Sequence, residues 1–337
     1  MSSEIEDTKE WADLSDAIDE LTESLGGEAD SRELAKPTPT NEDKRNTTPG
    51  QVSQYTLYGS GYATVNDTVK VLPPGCYDIN SDSKEVYVTK ALKPSGLLLE
   101  LPEMRSEDVI KLSDIFWNSE KDYKEGNEFV IGGAAFKAGI MIYGPPGSGK
   151  SCTIKLVSNK LVARNGIVFY ASCHPGTVIA FLTDFAKIED NRKSIVVLED
   201  FDSLIQQHGE SSYLEMLDSA KTVNNVLFIA TTNYPERLDP RIYNRPGRFS
   251  HVMKIGLPGA KTREAYLKAI LKNHRDVDEI VSKSAGFTID HLTALVNSVY
   301  REKKDLAQEI ERLKTLFKVP KSEEKPMGIG VERKYED

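Results

Sequence analysis

One short segment of the chain has the residue types and the spacing needed to hold a phosphate chain. Residues 144–151 read GPPGSGKS, which fits the pattern GxxxxGK[ST], and they follow an apolar run at 139–143. The glycines let the backbone curl so that successive N–H groups point at phosphate oxygens, and the lysine reaches the terminal phosphates. The residues that the pattern predicts around a phosphate chain are Gly144, Pro145, Pro146, Gly147, Ser148, Gly149, Lys150, Ser151 and Cys152.

Ser151 has a separate role in this pattern, because its hydroxyl is a ligand for Mg²⁺. The helix predicted to begin there would add its positive end to the same site. The alternative is a glycine-rich turn that binds nothing. The complete set of fixed positions, between an apolar strand and a helix-permissive run at 152–162, favours phosphate binding.

Two other apolar runs are predicted to be buried strands that end in polar side chains. Residues 195–198 precede Glu199 and Asp200, and the run at 229–232 precedes Asn233. Such strands bring these groups beside the phosphates, where one carboxylate can hold the metal and the other can deprotonate an attacking water. Asn233 would orient that water or the terminal phosphate. The alternatives are an ordinary acidic turn and a turn-forming Asn before Pro235.

The composition indicates a chain with a real hydrophobic core and a charge that is concentrated at one end. The 337 residues are 39% hydrophobic, which suffices for two compact domains plus tails. The formal charge is −9, and residues 1–50 account for it with 14 acidic against 5 basic residues. The other residues balance at 38 of each sign, so the body has no overall field that would attract nucleic acid.

The cysteines and the lengths of the apolar runs indicate the cellular compartment in which the protein is expected. Cys76, Cys152 and Cys173 have neither CxxC nor zinc-site spacing and are typical of reduced thiols. No apolar run reaches the ~18 residues of a membrane span, and the first residues are too acidic for a signal peptide. We therefore expect a cytoplasmic protein, in the host cytoplasm if the source is viral.

The first 50 residues predict an acidic tail that contains one amphipathic helix. Apolar residues recur at steps of three and four over residues 5–25, on a helix whose other faces are acidic. A linker rich in Pro, Thr and charge, predicted to be disordered, follows to residue 50. This helix either docks into a groove of a protein partner or folds back on its own subunit.

Four further regions follow from the changes in pattern. Residues 51–103 alternate short apolar runs with turn residues and predict a small β module of about four strands, either separate or packed beside the rest. Residues 104–258 alternate buried strands with helices, which predicts an α/β domain with a parallel sheet. Residues 259–318 predict a helical lid, with one final helix over 296–317, and residues 319–337 a charged tail.

The segment that starts at Thr231 indicates a family. It contains TTN, then LDP, then RPGRF ending at Phe249, and this order resembles the AAA group of ring ATPases. The resemblance covers about residues 107–318. It implies a phosphate-loop α/β core with a helical lid, ATP and Mg²⁺ as substrate and cofactor, and a homo-oligomeric ring of six or seven subunits.

In that family the two arginines at the positions of Arg245 and Arg248 reach the nucleotide of the neighbouring subunit. A guanidinium supplied in this way is worth about 10³ to 10⁵ in rate. The alternative is that both arginines only form structural ion pairs. The step from Pro240 to Arg245 is one residue longer than the usual spacing.

The order Glu199 then Asp200, and the sequence GESSYLEMLD at 209–218, look like the branch of the mitochondrial Rieske-protein translocase. That alignment implies that Glu199 holds the metal and that Asp200 activates water. Residues 173–178 lack the aromatic that unfolding members place in the pore, which argues against threading of polypeptide. The lid entry at 285–292 lacks an arginine, so no cationic sensor is expected there.

The sequence thus predicts an AAA ATPase that hydrolyses ATP at the subunit interfaces of a ring. It would use this reaction to remodel, assemble or translocate a macromolecular partner, which we expect to be a protein. Its catalytic residues would be Asp200, Asn233, Arg245 and Arg248. One alternative is an ATP-gated assembly scaffold with slow turnover. Another is a DNA loader or helicase, against which the neutral body argues.

Overall fold

The structure is a computed structural model of the chain. It describes residues 50–58, 61–82, 85–91, 98–119, 136–189, 191–219, 223–243, 247–272 and 274–316. The acidic helix predicted at 5–25, the rest of the tail before residue 50 and the charged tail at 319–337 lie outside these ranges.

The centre of the molecule is a seven-stranded sheet in the order β4-β3-β6-β7-β8-β5-β9, and only β4 runs antiparallel to its neighbour. Together with the helices, this confirms the predicted α/β class. Strands β7, β8 and β5 are adjacent, so their carboxyl ends meet at one edge. The strands are β3 Gly75–Ser81, β4 Val86–Lys90, β5 Lys137–Tyr143, β6 Ile167–Tyr170, β7 Ser194–Leu198, β8 Val226–Thr232 and β9 His251–Lys254.

The central strands β7 and β8 are buried on both faces, and apolar residues fill consecutive positions rather than alternate ones. The exceptions are Ser194 at the start of β7 and Thr231 and Thr232 at the end of β8. Successive side chains point to opposite faces of a strand. In β7, Val196 and Leu198 pack into one cluster, whereas Ile195 and Val197 pack into the other. The sheet therefore separates two apolar cores, each covered by helices.

The region predicted as a separate or adjoining β module is divided by the structure. Strands β1 (Gly50–Tyr58) and β2 (Gly61–Thr68) form an antiparallel hairpin of their own. The hairpin of β3 and β4 instead extends the main sheet, because β3 pairs in parallel with β6 from Gly75 opposite Ile167 onward. Tyr77 and Ile79 of β3 are buried in the core of the nucleotide-binding domain.

Nine α-helices lie within the described ranges, and they cover the sheet or form the lid. Helix α2 begins directly at the end of the phosphate loop, and α4 begins directly after the acids that end β7. The helices are α1 Ser106–Asn118, α2 Lys150–Ala163, α3 Pro175–Ile188, α4 Phe201–His208, α5 Glu210–Ser219, α6 Ala260–Leu271, α7 Val277–Lys283, α8 Ile289–Val296 and α9 Leu306–Leu316.

The lid has a hydrophobic core of its own, formed by α6 to α9. The last helix differs from the sequence prediction, which had one helix over 296–317. The structure has α8, then a π-helical turn at Asn297–Arg301, and then a break before α9. Lys303 adopts a left-handed backbone with φ of 58°, and this conformation stops the helix. Among the described helices, none is long and apolar enough to cross a membrane.

Candidate functional site

The phosphate loop connects β5 to α2 in a conformation that depends on its glycines. Gly147 and Gly149 have φ of 73° and 101°, a region that residues with a side chain rarely adopt. Gly149 is the residue immediately before the first turn of α2. The loop therefore leads directly into a helix N-terminus, whose first N–H groups have no intrahelical acceptor and can bind an anion.

The ammonium group of Lys150 is buried and held by three oxygens. Its Nζ donates to the backbone oxygens of Gly144 and Pro145, each at 2.9 Å, and to Oδ1 of Asn233 at 2.5 Å. The side-chain amide of Asn233 donates in turn to Oδ1 of Asp200 at 3.4 Å. Three of the residues singled out from the sequence are thus joined by hydrogen bonds, in the order Lys150–Asn233–Asp200. This hydrogen-bonded chain crosses the ends of β5, β8 and β7.

Burial lowers the pKa of Lys150 to about 8, because removal from water disfavours the charged ammonium. The charges of Asp200, Asp290 and Asp202 act in the opposite direction and favour the charged form. A bound anion would also favour it. The pocket therefore contains a cation that gains from the arrival of phosphate.

Asp200 itself has an unusual backbone, with φ of 47° and ψ of 51° at the start of α4. Such left-handed conformations of residues other than glycine are enriched at functional sites. Asp202, two residues later, is 4% exposed and accepts a hydrogen bond of 2.6 Å from Thr232. That buried contact indicates a structural role for Asp202.

A cavity of about 520 Å³ lies at this edge of the sheet, which is the size of many small-ligand sites. The phosphate loop, both acids after β7, and Asn233 line it on one side, and the lid lines it on the other. The residues that border it are Leu98, Pro146, Gly147, Gly149, Lys150, Ser151, Cys152, Lys155, Glu199, Asp200, Thr231, Asn233, Tyr266, Ile289, Asp290 and Thr293.

The cavity wall carries oxygen atoms that would suit Mg²⁺ beside a phosphate chain. Ser151 and Glu199 offer two oxygen ligands at the cavity wall. Two protein oxygens are a typical share for Mg²⁺, which takes its other ligands from phosphates and water.

Several residues of the cavity were not predicted as site residues from the sequence. Leu98, Lys155, Tyr266, Ile289, Asp290 and Thr293 all border it. Those from the lid lie more than 110 positions after the loop, and no local spacing connects them to it. The lid entry at 285–292 had been considered only for an arginine, whereas the structure has Asp290 facing the cavity.

Of the two arginines predicted to act on a neighbouring subunit, Arg248 lies within the described residues, and its side chain is paired inside its own chain. Arg248 is 5% exposed and forms two hydrogen bonds to the carboxylate of Asp218, at 2.9 and 3.1 Å. A third, of 2.6 Å, goes to the backbone oxygen of Arg241. Arg245 lies outside the described residues. The role of both arginines towards a neighbouring subunit therefore stays a prediction.

Together, the parallel sheet, the glycine loop at the end of β5 and the acids at the end of β7 define a phosphate-loop nucleotide-binding protein. Residues 140–257 match the model of the family described as "ATPase family associated with various cellular activities (AAA)". This match assigns residues 140–257 a likeness to the AAA ATPases.

Curated relatives agree with this assignment at low identity. Protein CdcH of Halobacterium salinarum is 26% identical over 221 residues, which are 58% of this chain and 30% of the relative. The cell division cycle protein 48 homolog of Archaeoglobus fulgidus is 26% identical over 251 residues, 62% of this chain and 34% of the relative. The chain thus spans about a third of the length of the relatives it matches.

A third relative is the ATP-dependent zinc metalloprotease FtsH of Lactiplantibacillus plantarum. It is 27% identical over 231 residues, which are 58% of this chain and 30% of the relative. The likeness to the branch of the Rieske-protein translocase is not confirmed by these matches and stays a prediction.

Proposed function

We propose that the protein binds ATP in the cavity between the phosphate loop and the lid, hydrolyses it at the interfaces of a homo-oligomeric ring of six or seven subunits, and uses the cycle to remodel, assemble or move a protein partner. The observation that carries the proposal is the hydrogen-bonded chain Lys150–Asn233–Asp200 across three adjacent strand ends. It joins the group that binds phosphate to the carboxylate that would activate water.

Each residue of that chain has a defined task in the proposed reaction. Lys150 neutralises charge on the terminal phosphates when it leaves its backbone acceptors. Asp200 accepts the proton of the attacking water, for which its carboxylate is exposed at the cavity wall. Asn233 bridges Lys150 and Asp200, so it is placed to register whether the terminal phosphate is present.

The residues that would hold Mg²⁺ are Ser151, through its hydroxyl, and Glu199, directly or through water. When bound, the ion neutralises charge that develops on the phosphate oxygens. Glu199 and Asp200 directly follow the last residue of β7, so one strand end supplies both the metal-side acid and the base.

Hydrolysis between subunits would require a cation from the neighbour, and Arg245 and Arg248 are the proposed donors. Arg248 would first have to leave Asp218, because its guanidinium is paired within its own subunit. Assembly of the ring would thus exchange an internal ion pair for an intermolecular one. Such an exchange couples turnover to ring formation.

The internal pairing of Arg248 also favours a second function, an ATP-gated scaffold with slow turnover. In that case ATP binding would order the ring and hydrolysis would be incidental. In either case we propose that the segment 5–25 selects the protein partner and that the protein acts in the cytoplasm.

Mixing of subunits tests the shared site most directly. Asp200→Asn and Arg248→Ala subunits are each expected to be inactive alone, since one lacks the base and the other the arginine. When they co-assemble, some interfaces regain a complete set and phosphate release recovers in part. The proposal fails if co-assembled mixtures stay inactive, or if a dilute single subunit hydrolyses ATP at the full rate.

A further inference from the structure

Asp290 of the lid lies directly against the phosphate loop. It belongs to the first turn of α8, and an ideal Cβ atom on Gly147 would lie only 2.7 Å from its Oδ2. The neighbouring backbone N–H of Ile289 donates to the oxygen of Gly147 at 3.2 Å. The lid therefore closes onto the loop through this pair of residues, and the absence of a side chain at Gly147 allows the approach.

The carboxylate of Asp290 is exposed at the cavity and acts on the cation of the loop. No hydrogen-bond donor or ion-pair partner for it occurs within the described ranges. Its charge is nevertheless felt by Lys150, where only Asp200 among the acids has a larger effect on the pKa. Asp290 and a bound phosphate chain would thus compete for the same ammonium group.

The competition depends on how many phosphates are present. In a loop of this pattern the lysine reaches the terminal phosphates, so ATP carries an additional phosphate group near Lys150 compared with ADP. Two negative groups that share a small region repel each other, and the repulsion weakens with distance and with salt. A carboxylate at Asp290 should therefore oppose ATP more than ADP.

We propose that Asp290 makes the lid discriminate between ATP and ADP: its carboxylate disfavours the terminal phosphate, so the contact of the lid with Gly147 is weakened by ATP and restored with ADP. This inference rests on the proposed function, because it requires that the cavity binds nucleotide. A cationic side chain in the lid would be attracted by the terminal phosphate of ATP. The carboxylate of Asp290 would instead be repelled by it.

A simpler role for Asp290 is to stabilise the N-terminus of α8, where an acidic residue is favourable. The two roles differ in their effect on ligand preference. A residue that only stabilises the helix would change the affinities for ATP and ADP by the same factor. A residue that opposes the terminal phosphate changes their ratio.

The experiment measures dissociation constants by titration calorimetry for ADP and for the β,γ-imido analogue of ATP, both with Mg²⁺, on the full chain. The native protein is compared with Asp290→Asn, which removes the charge and keeps the shape. Asp278→Asn is the matched control, because Asp278 is an exposed acid in the first turn of lid helix α7 and does not border the cavity.

We expect Asp290→Asn to shift the preference towards the ATP analogue by about fivefold, the effect of one charge across about 4 Å of water. The shift should shrink at about 0.5 M salt, since exposed charges are then screened. Asp278→Asn should leave the ratio unchanged. The inference is overturned if Asp290→Asn alters both affinities equally, alters neither, or shifts the ratio by an amount that salt does not reduce.

Failure of the proposed function would look different. In that case the native protein would bind neither nucleotide, and both proposals would fall together. Binding by the native protein with an unaltered ratio in Asp290→Asn would overturn the role of Asp290 alone.

Discussion

The phosphate-binding edge and the arginine segment of this protein are organised in opposite ways. At the phosphate-binding edge, formed by Lys150, Asp200 and Asn233, the functional groups converge on an open cavity within one subunit. In the arginine segment, residues 237–249, the cation of Arg248 is turned inward and paired with Asp218. The groups proposed to bind nucleotide thus already meet within one chain, whereas the proposed contribution of Arg248 to a neighbour would depend on assembly.

The largest effect is expected from Lys150→Ala, which removes the cation of the phosphate-binding edge. Nucleotide affinity should fall by about 10³-fold or more, below detection, because the ammonium group that would bind the phosphates is gone. The three protein oxygens that this group contacts also lose their donor. Fluorescent-nucleotide titration measures the affinity. Lys160→Ala is the control, since this exposed lysine on the same helix only forms a surface ion pair with Glu100 at 3.5 Å. Retained affinity in Lys150→Ala would contradict the assignment of the loop.

Arg248→Ala tests whether the inward pairing is a resting state. If Arg248 acts on a neighbour, turnover should fall by about 10³-fold while nucleotide affinity is retained. Asp218→Asn should then keep or raise turnover, because it releases the guanidinium. If the pair is only structural, both variants should instead lose about 1–3 kcal/mol of stability, because each leaves one partner of a part-buried pair unsatisfied, and both thermal midpoints should fall. Steady-state phosphate release and thermal unfolding of both variants separate these outcomes.

Asp200→Asn should separate binding from hydrolysis at the phosphate-binding edge. The amide cannot accept a proton from water, so phosphate release should fall at least about 10²-fold while ATP still binds. Asp202→Asn is the matched comparison at the same strand end. It should lower stability by about 1–2 kcal/mol through the buried contact with Thr232, with a smaller effect on the rate. If Asp200→Asn and Asp202→Asn are equally stable and lose the same fraction of the rate of phosphate release, Asp200 is not the base.

The smallest effect is a pH dependence of nucleotide binding. Lys150 has a pKa of about 8 in the nucleotide-free protein, and phosphate favours its charged form, so binding takes up protons near this pH. Affinity should therefore fall about tenfold from about pH 7 to about pH 9. Calorimetry at pH 8 in two buffers of different ionisation enthalpy should detect an uptake of about half a proton.

Lys150→Arg is the control for this pH dependence, because a guanidinium stays charged throughout this range. Its nucleotide binding should take up no proton from this group. An equal proton uptake in native protein and Lys150→Arg would assign the titration to another residue.

Local sequence was sufficient to predict that Lys150, Asp200 and Asn233 lie together at neighbouring strand ends, whereas their roles in binding and hydrolysis stay predictions. The loop spacing, the apolar runs and the polar residues after them each lie within a few positions, and strands of one parallel sheet bring their carboxyl ends together. The residues that were missed depend on contacts distant in the sequence. The carboxylate of Asp290 meets Gly147 across more than 140 positions, and nothing near either residue indicates that the lid closes there.

The other differences have equally specific causes. The inward pairing of Arg248 depends on Asp218, which follows from how the end of α5 packs and not from the arginine motif. The predicted helix at 296–317 has a continuous apolar stripe, but the left-handed conformation of Lys303 interrupts it without a glycine to indicate the break.

The parallel pairing of β3 with β6 has a practical consequence for preparing the isolated ATPase domain. The sequence suggests a domain boundary at residue 104, but a fragment that starts there would lack Tyr77 and Ile79, which are part of the core. It would also expose the backbone edge of β6, and an unpaired strand edge promotes self-association. Such a fragment would also lack Leu72, whose N–H donates to Glu189 and whose carbonyl oxygen accepts from Arg192. The shortest well-behaved fragment should therefore start before Leu72.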